Sequence, residues 1–341
     1  MPPSYHLSYL VVIGVFRERS ALQVPALLVL ALLLKMGYTA YQLPTTGYPQ
    51  PGGLLVQWIN QHLVGHYSQP FLNVLCLLLL LGSAFYANVV ANNRRLFQHR
   101  SLLVALCVLL FSSLFPGTNV QLPALLVLPL LIACFAVLTR LYQTDKARSH
   151  IVNAGILAGL AYLLYHPALL LIPACFVGLA HMRPFRLAEW LLLLVGLLTP
   201  AYFVLAIEFL TNHWQPARHL PQWQGTALAA PDTLYWWVAA GMGVLWLLLG
   251  FASWNQQTRR MVIQIRKNWY ALLFIGLLLV PAMLLWPGHL YGVLALLSFP
   301  VGCLLASTFA GEGKGIGQLV FFWLLIIATA VVGWGWKSGA M

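Results

Sequence analysis

Acidic side chains are almost missing from this chain. Six Asp and Glu stand among 341 residues, and charged residues of both signs make up only 7%. A soluble domain carries about 25% charged residues, so a water-soluble fold of this length is excluded. No polar linker divides the chain. No repeat is visible and intramembrane charge is scarce, which argues against a transporter. The five cysteines (Cys76, Cys107, Cys134, Cys175, Cys303) all lie inside apolar runs. They form no C-x-x-C pattern, so they read as reduced packing residues and not as a disulfide framework or a metal site. No A-x-A-like site follows the first apolar run, so no cleaved signal peptide is expected.

What is abundant is apolar: 61% of the residues are hydrophobic. A spanning helix needs about 20 apolar residues. On that measure the chain reads as an all-α, polytopic transmembrane helical bundle of about eleven spans, forming a single integral membrane domain over 1–341. Residues 1–20 read as an interfacial N-terminal segment. The expected spans are 21–42, 70–91, 101–115, 120–142, 151–166, 167–182, 187–210, 233–254, 269–286, 289–308 and 318–336. Those at 101–115 and 167–182 are short. Between the first two, residues 54–66 place Leu55, Trp58, Ile59, His62 and Leu63 at helical spacing, which predicts an amphipathic helix in the first outer loop.

The stretch 151–186 sets the sidedness. Two apolar runs meet at His166-Pro167 and end at Arg183-Pro184-Phe185-Arg186. Pro167 suits the first turn of a helix, where its missing N–H would be unpaired anyway. Gly155 and Gly159 make a small-xxx-small face for close helix approach. With the N-terminus cytoplasmic, fifteen of the eighteen Lys and Arg fall on cytoplasmic segments. Arg218 and Lys337 fall outside and Lys35 within a span. This positive-inside bias predicts a bacterial inner (plasma) membrane protein with its C-terminus periplasmic. It also explains the net charge of +12 without a nucleic-acid partner, since cationic loops face anionic lipid.

The histidines and tryptophans lean the other way. His62, His66, His166, His213, His219 and His289 map to the outer side, with Trp58, Trp214, Trp223, Trp236, Trp237, Trp286, Trp334 and Trp336. An aromatic belt explains part of this. The surplus suggests an outward groove built from the loops 38–69 and 211–232. Lys35, within the first span, and Glu208, near the outer end of the seventh, are intramembrane ionisable residues and therefore site candidates that could pair. Lys35, His62, Trp58, His213 and Arg218 are the expected substrate-binding residues. Glu208, Asp232 and His166 are the acids and bases available for catalysis. His62 and His66 at i, i+4 could share a metal but lack the Glu of an H-E-x-x-H helix, so no metal and no cofactor are expected. Gly311 to Gly315 lacks the Ser or Thr and the preceding strand of a phosphate loop.

Two resemblances follow from longer stretches. The runs NNRRLFQHRSLLVALCVLLFSSLFPG (92–117), IVNAGILAGLAYLLYHPALLLIP (151–173) and RPFRLAEWLLLLVGLLTPAYF (183–203) resemble an uncharacterised bacterial polytopic inner-membrane family. Its members are sometimes labelled beta-carotene monooxygenase. The order of one span, a long outer loop with an amphipathic helix, then many short-looped spans is similar to type C glycosyltransferases. So is the hairpin G-L-A-x-L-x-x-x-P-A-L-L-L. That resemblance implies a lipid-linked substrate of polyprenyl-phosphate type and an acid in the first outer loop. Residues 38–69 contain neither Asp nor Glu, a departure at the usual catalytic base.

Three function classes remain, each with its own signature. A lipid-linked-substrate binder or transferase needs an outer groove with Glu208 or Asp232 near Lys35 and His62. A non-catalytic scaffold or assembly subunit needs a membrane-protein partner and an empty groove. A carotenoid-cleaving oxygenase needs histidines converging on one iron. Membrane lipid is a partner under all three.

Overall fold

A computed structural model describes residues 16, 23–36, 48, 53–64, 66–142, 144, 147–212, 216–221, 234–259, 261–310 and 316–338. Among them the secondary structure is entirely helical. The helices are α1 (Gln23–Met36), α2 (Leu54–His62), α3 (Gln69–Asn93), α4 (Leu103–Leu114), α5 (Leu122–Leu138), α6 (Ala147–Leu164) and α7 (Leu171–Met182). There follow α8 (Leu187–Leu210), α9 (Leu234–Thr258), α10 (Ile263–Leu279), the short α11 (Ala282–Leu285), α12 (Leu290–Ala310) and α13 (Ile316–Ser338). Single 3-10 turns stand at Pro116–Val120, His166–Leu170, Pro216–His219 and Pro287–His289.

Among the described residues five stretches are long and apolar enough to cross a membrane: Gln69–Asn93, Leu187–Leu210, Trp236–Thr258, Ile263–Leu285 and Pro287–Ala310. Five further helices are apolar but shorter (Gln23–Leu34, Leu103–Leu114, Leu122–Leu138, His166–Met182 and Val320–Val331), so the expected figure of about eleven is matched in part. The difference has a physical reason. α4 has 12 residues, all buried, and at 1.5 Å per residue it reaches about 18 Å, short of a ~30 Å hydrocarbon layer. The Pro116–Val120 turn that follows is buried too, apart from Asn119. Non-helical backbone at such depth is tolerated where protein covers it. Thr118 Oγ1 closes the turn by donating to the carbonyls of Ser112 and Phe115 at 2.8 Å each.

α12 is the axis of the core. Its apolar window is 89% buried, against 17% for α8 and 22% for α9, which lie at the periphery. Gly302 of α12 comes so close to Val108 of α4 that a Cβ would stand 2.6 Å from its side chain. Gly250 of α9 meets the Leu304 carbonyl in the same way. The tightest seam joins α6 to α8. A Cβ on Gly155 would lie 2.5 Å from the Leu193 carbonyl oxygen, and one on Gly159 would lie 2.4 Å from that of Leu197. Gly196 returns the approach against the Val152 carbonyl oxygen at 2.4 Å. The small-residue face read from Gly155 and Gly159 is the face that packs.

Hydrogen bonds sort the turns onto two ends. At one end Arg94 donates to the Ala136 carbonyl at 2.7 Å, and Arg183 to that of Thr144 at 3.1 Å. Trp269 Nε1 donates to the Leu96 carbonyl at 3.1 Å, and Gln257 to that of Ser307 at 2.7 Å. Arg183 also pairs with Glu189 at 3.1 Å. The arginine-bearing turns thus gather together. At the other end Tyr48 donates to the Val120 carbonyl at 2.6 Å and accepts from Leu122 N–H at 3.2 Å. Asn60 of α2 clamps the Tyr48 backbone through both amide atoms. Gly53, at φ +103°, fits against the Leu164 carbonyl where a Cβ would stand 2.6 Å away. Only glycine takes that conformation without cost.

α2 lies where the amphipathic helix was expected, but it is turned. Val56 and Ile59 are buried, while Trp58 and His62 point outward. The face read as Leu55, Trp58, Ile59, His62 and Leu63 is displaced because the Asn60–Tyr48 clamp fixes the rotation of the helix. Tyr48→Phe should lower stability by about 1–3 kcal/mol, since it leaves the Val120 carbonyl and the Leu122 N–H buried without a partner. Thermal unfolding in detergent checks this. A midpoint equal to wild type would show that the bridge carries no weight.

Candidate functional site

The turn after α6 carries a set of polar side chains that meet at the Tyr48 end. α6 ends at Leu164, and Pro167 opens a 3-10 turn that cannot continue the α-helical hydrogen bonding. Tyr162 and His166, four residues apart, stack with ring centroids 5.5 Å apart and an interplanar angle of 26°. The Tyr162 hydroxyl donates to the His219 carbonyl at 2.6 Å. His219 Nε2 in turn meets Glu208 Oε1 at 2.6 Å. The loop after α8 therefore folds back, and the 3-10 turn Pro216–His219 delivers an imidazole to the acid 11 residues before it. Tyr165 sets its ring edge-on to His289 at 5.4 Å and 83°.

Several atoms of this cluster are buried without a hydrogen-bond partner. They are both ring nitrogens of His166, the Tyr165 hydroxyl and Glu208 Oε2. His166 is 1% exposed and Tyr165 is fully buried. Each such atom costs about 1–3 kcal/mol when left unsatisfied. A neutral imidazole offers one donor and one acceptor, a phenol one of each, and a carboxylate oxygen accepts. The Tyr165 hydroxyl faces Gly292 of α12, so it is His166 and Glu208 Oε2, linked through Tyr162 and His219, that together match a hydroxyl-bearing group. Tyr48, bonded to the Pro116–Val120 turn, already uses its hydroxyl on two backbone groups, and burial pushes the pKa of that hydroxyl well above its usual range. It is a structural residue.

The sequence candidates divide as follows. Glu208 and His166 share the cluster, linked through His219 and Tyr162. Glu208 is paired with His219, and the expected partner Lys35 belongs to α1 with a side chain outside the described residues. Asp232 and His213 lie outside them altogether. Arg218 sits in the Pro216–His219 turn, its side chain likewise undescribed. Trp58 and His62 stack on each other at 5.4 Å, and His62 Nδ1 bonds the Trp58 carbonyl at 3.1 Å. They belong to the outward face of α2. Sequence reading did not single out His219, Tyr162, Tyr165 and His289 as site residues. The available signal was Tyr162-x-x-x-His166, which puts two rings on one helix face. Among the described residues no three His, Cys, Asp or Glu group as metal ligands.

A family model matches residues 54–334, over most of the chain. The protein belongs to the family of unknown function DUF6427. This membership agrees with the likeness to an uncharacterised family and adds neither glycosyl transfer nor carotenoid cleavage. No curated protein and no solved structure matches the chain.

Proposed function

We propose that this DUF6427 protein is a multi-pass bacterial inner-membrane protein that holds the polar head of an amphiphile at the His166 end of the bundle. The observation that carries the reading is His166, buried with neither ring nitrogen partnered, beside the Glu208–His219 pair. Convergent polar groups in an apolar surround are what fixes the orientation of a bound head group. The apolar helices around it suit the tail. A lipid-linked compound of polyprenyl type fits this division. Its hydroxyls would meet His166 and Glu208. Its phosphate would fall to cations near in sequence, Arg218 and His213, or to Lys35. A carboxylate-held imidazole is also an arrangement for proton transfer. Glu208 with His219 would then serve where type C glycosyltransferases use a first-loop acid.

The scaffold reading rests on α8 and α9, whose outer faces are long and apolar; lipid alone would cover them.

The test is ligand binding to the full chain in nanodiscs, followed by native mass spectrometry. A polyprenol and a polyprenyl phosphate are the probes. His166→Leu and Glu208→Gln should each weaken retention about tenfold, the worth of one buried hydrogen bond. Equal retention by wild type and both variants would remove the site and leave the scaffold.

A further inference from the structure

The opposite end holds a cavity of ≈ 960 Å³ that the His166 site does not use. It lies between the α3–α4 turn, the end of α9 and the start of α10. Its polar lining includes Asn92, Arg95, Gln98, Arg100, Gln256 and Gln257, and no carboxylate lines it among the described residues. Its walls are held by backbone-directed bonds: Asn92 Nδ2 to the Ser101 carbonyl at 3.0 Å and Gln257 to the Ser307 carbonyl at 2.7 Å.

The chain spends conformational strain here. α3 ends in a Schellman arrangement, with Leu96 N–H bonded to the Ala91 carbonyl at 3.1 Å and Arg95 N–H to that of Asn92 at 3.2 Å. The residue between helix and exit sits in the left-handed region, where glycine is usual. Here it is Arg95, at φ +51°. The neighbouring Arg94 turns inward to the Ala136 carbonyl. Arg95 lines the cavity, and it forms no ion pair among the described residues. Glycine would relieve the backbone but remove the charge. Three helix C-termini (α3, α9, α12) bring partial negative charge, roughly half a unit each. The two guanidinium charges, with the N-terminus of α10 beside them, outweigh it.

We infer that this cavity binds a phosphate-bearing anion through Arg95 and Arg100, with the Gln and Asn side chains donating around it. A guanidinium fork is matched to phosphate oxygens. The same chemistry could come from a lipid head group or from a soluble phosphate.

The experiment uses the full chain in nanodiscs. One arm compares discs of phosphatidylglycerol in phosphatidylcholine with pure phosphatidylcholine, reading retained lipid by native mass spectrometry. The other titrates inorganic pyrophosphate into the pure phosphatidylcholine discs. Binding in either arm should fall at least about tenfold in Arg95→Gly and again in Arg95→Gly with Arg100→Gln. The melting midpoint of Arg95→Gly should equal or exceed wild type, which separates lost binding from lost fold. Arg259→Gln with Arg266→Gln, outside the cavity, should leave binding intact. Loss in the lipid arm assigns a head group, and loss in the pyrophosphate arm a soluble ligand. No binding in either arm would overturn the site. So would binding indifferent to Arg95, or an equal loss in the Arg259 and Arg266 variant, which would mean a diffuse basic surface.

Discussion

Gly155→Val and Gly159→Leu should each destroy the bundle, or leave too little folded protein to purify. The reason is the nature of the obstacle. An added Cβ at either position would meet a backbone carbonyl of α8 at 2.4–2.5 Å, and a backbone cannot rotate aside as a side chain can. The helices must separate, and the reciprocal approach of Gly196 to Val152 is lost with them. Overpacking of this kind costs about 1–3 kcal/mol or more even for small additions. The single Gly→Ala changes should therefore lower the melting midpoint measurably. Gly82→Ala and Gly241→Ala are the controls, because a Cβ there meets nothing within 4 Å. Those changes should be neutral or stabilising by up to about 1 kcal/mol, since alanine is the better helix former. Equal effects in the two groups would contradict the packing.

The second large effect concerns the hydrogen-bonded Glu208–His219 pair of the candidate site. Glu208→Ala should destabilise the protein by about 1–3 kcal/mol. It strips His219 Nε2 of its partner in a place where the two side chains are only 10% and 17% exposed. Glu208→Gln keeps one hydrogen bond and should cost less, while still weakening retention of the amphiphile. Thermal unfolding of both variants beside wild type measures the first effect. If Glu208→Ala melted as wild type, the pair would be a surface contact of little consequence.

Much of this architecture was legible in the sequence because the signals are local. The limits of α8 fall at 187 and 210, where Arg186 and the turn-forming Thr211-Asn212 stand. Gly155 and Gly159 announced a close seam. The turns at Arg94 and Arg183 gather at one end of the bundle, while His166 and His219 meet at the other. The burial order was less accessible. Leu103–Leu114 and Leu187–Leu210 are both rich in leucine, yet the first is wholly enclosed while the second buries only Glu189, Leu193 and Gly196. Apolar content does not say whether lipid or protein is the neighbour, since both are equally apolar. The rotation of α2 depended on Tyr48 and Asn60, which meet only after folding. The same holds for the site. Glu208 was singled out, but its partner His219 reaches it by a chain reversal that no periodicity encodes. Arg95 looked like one more basic residue of a cytoplasmic loop; its left-handed backbone distinguishes it.

The account rests on the bundle crossing a membrane, with the His166 end and the Arg95 end on opposite sides. Cysteine accessibility in intact cells tests this most directly. The native cysteines are all buried, so background labelling is low. A membrane-impermeant maleimide should label His62→Cys, on the exposed face of α2, in intact cells. Gln256→Cys, at the exposed end of α9, should react only after permeabilisation. Labelling of both from outside, or of Gln256→Cys alone, would contradict the arrangement proposed.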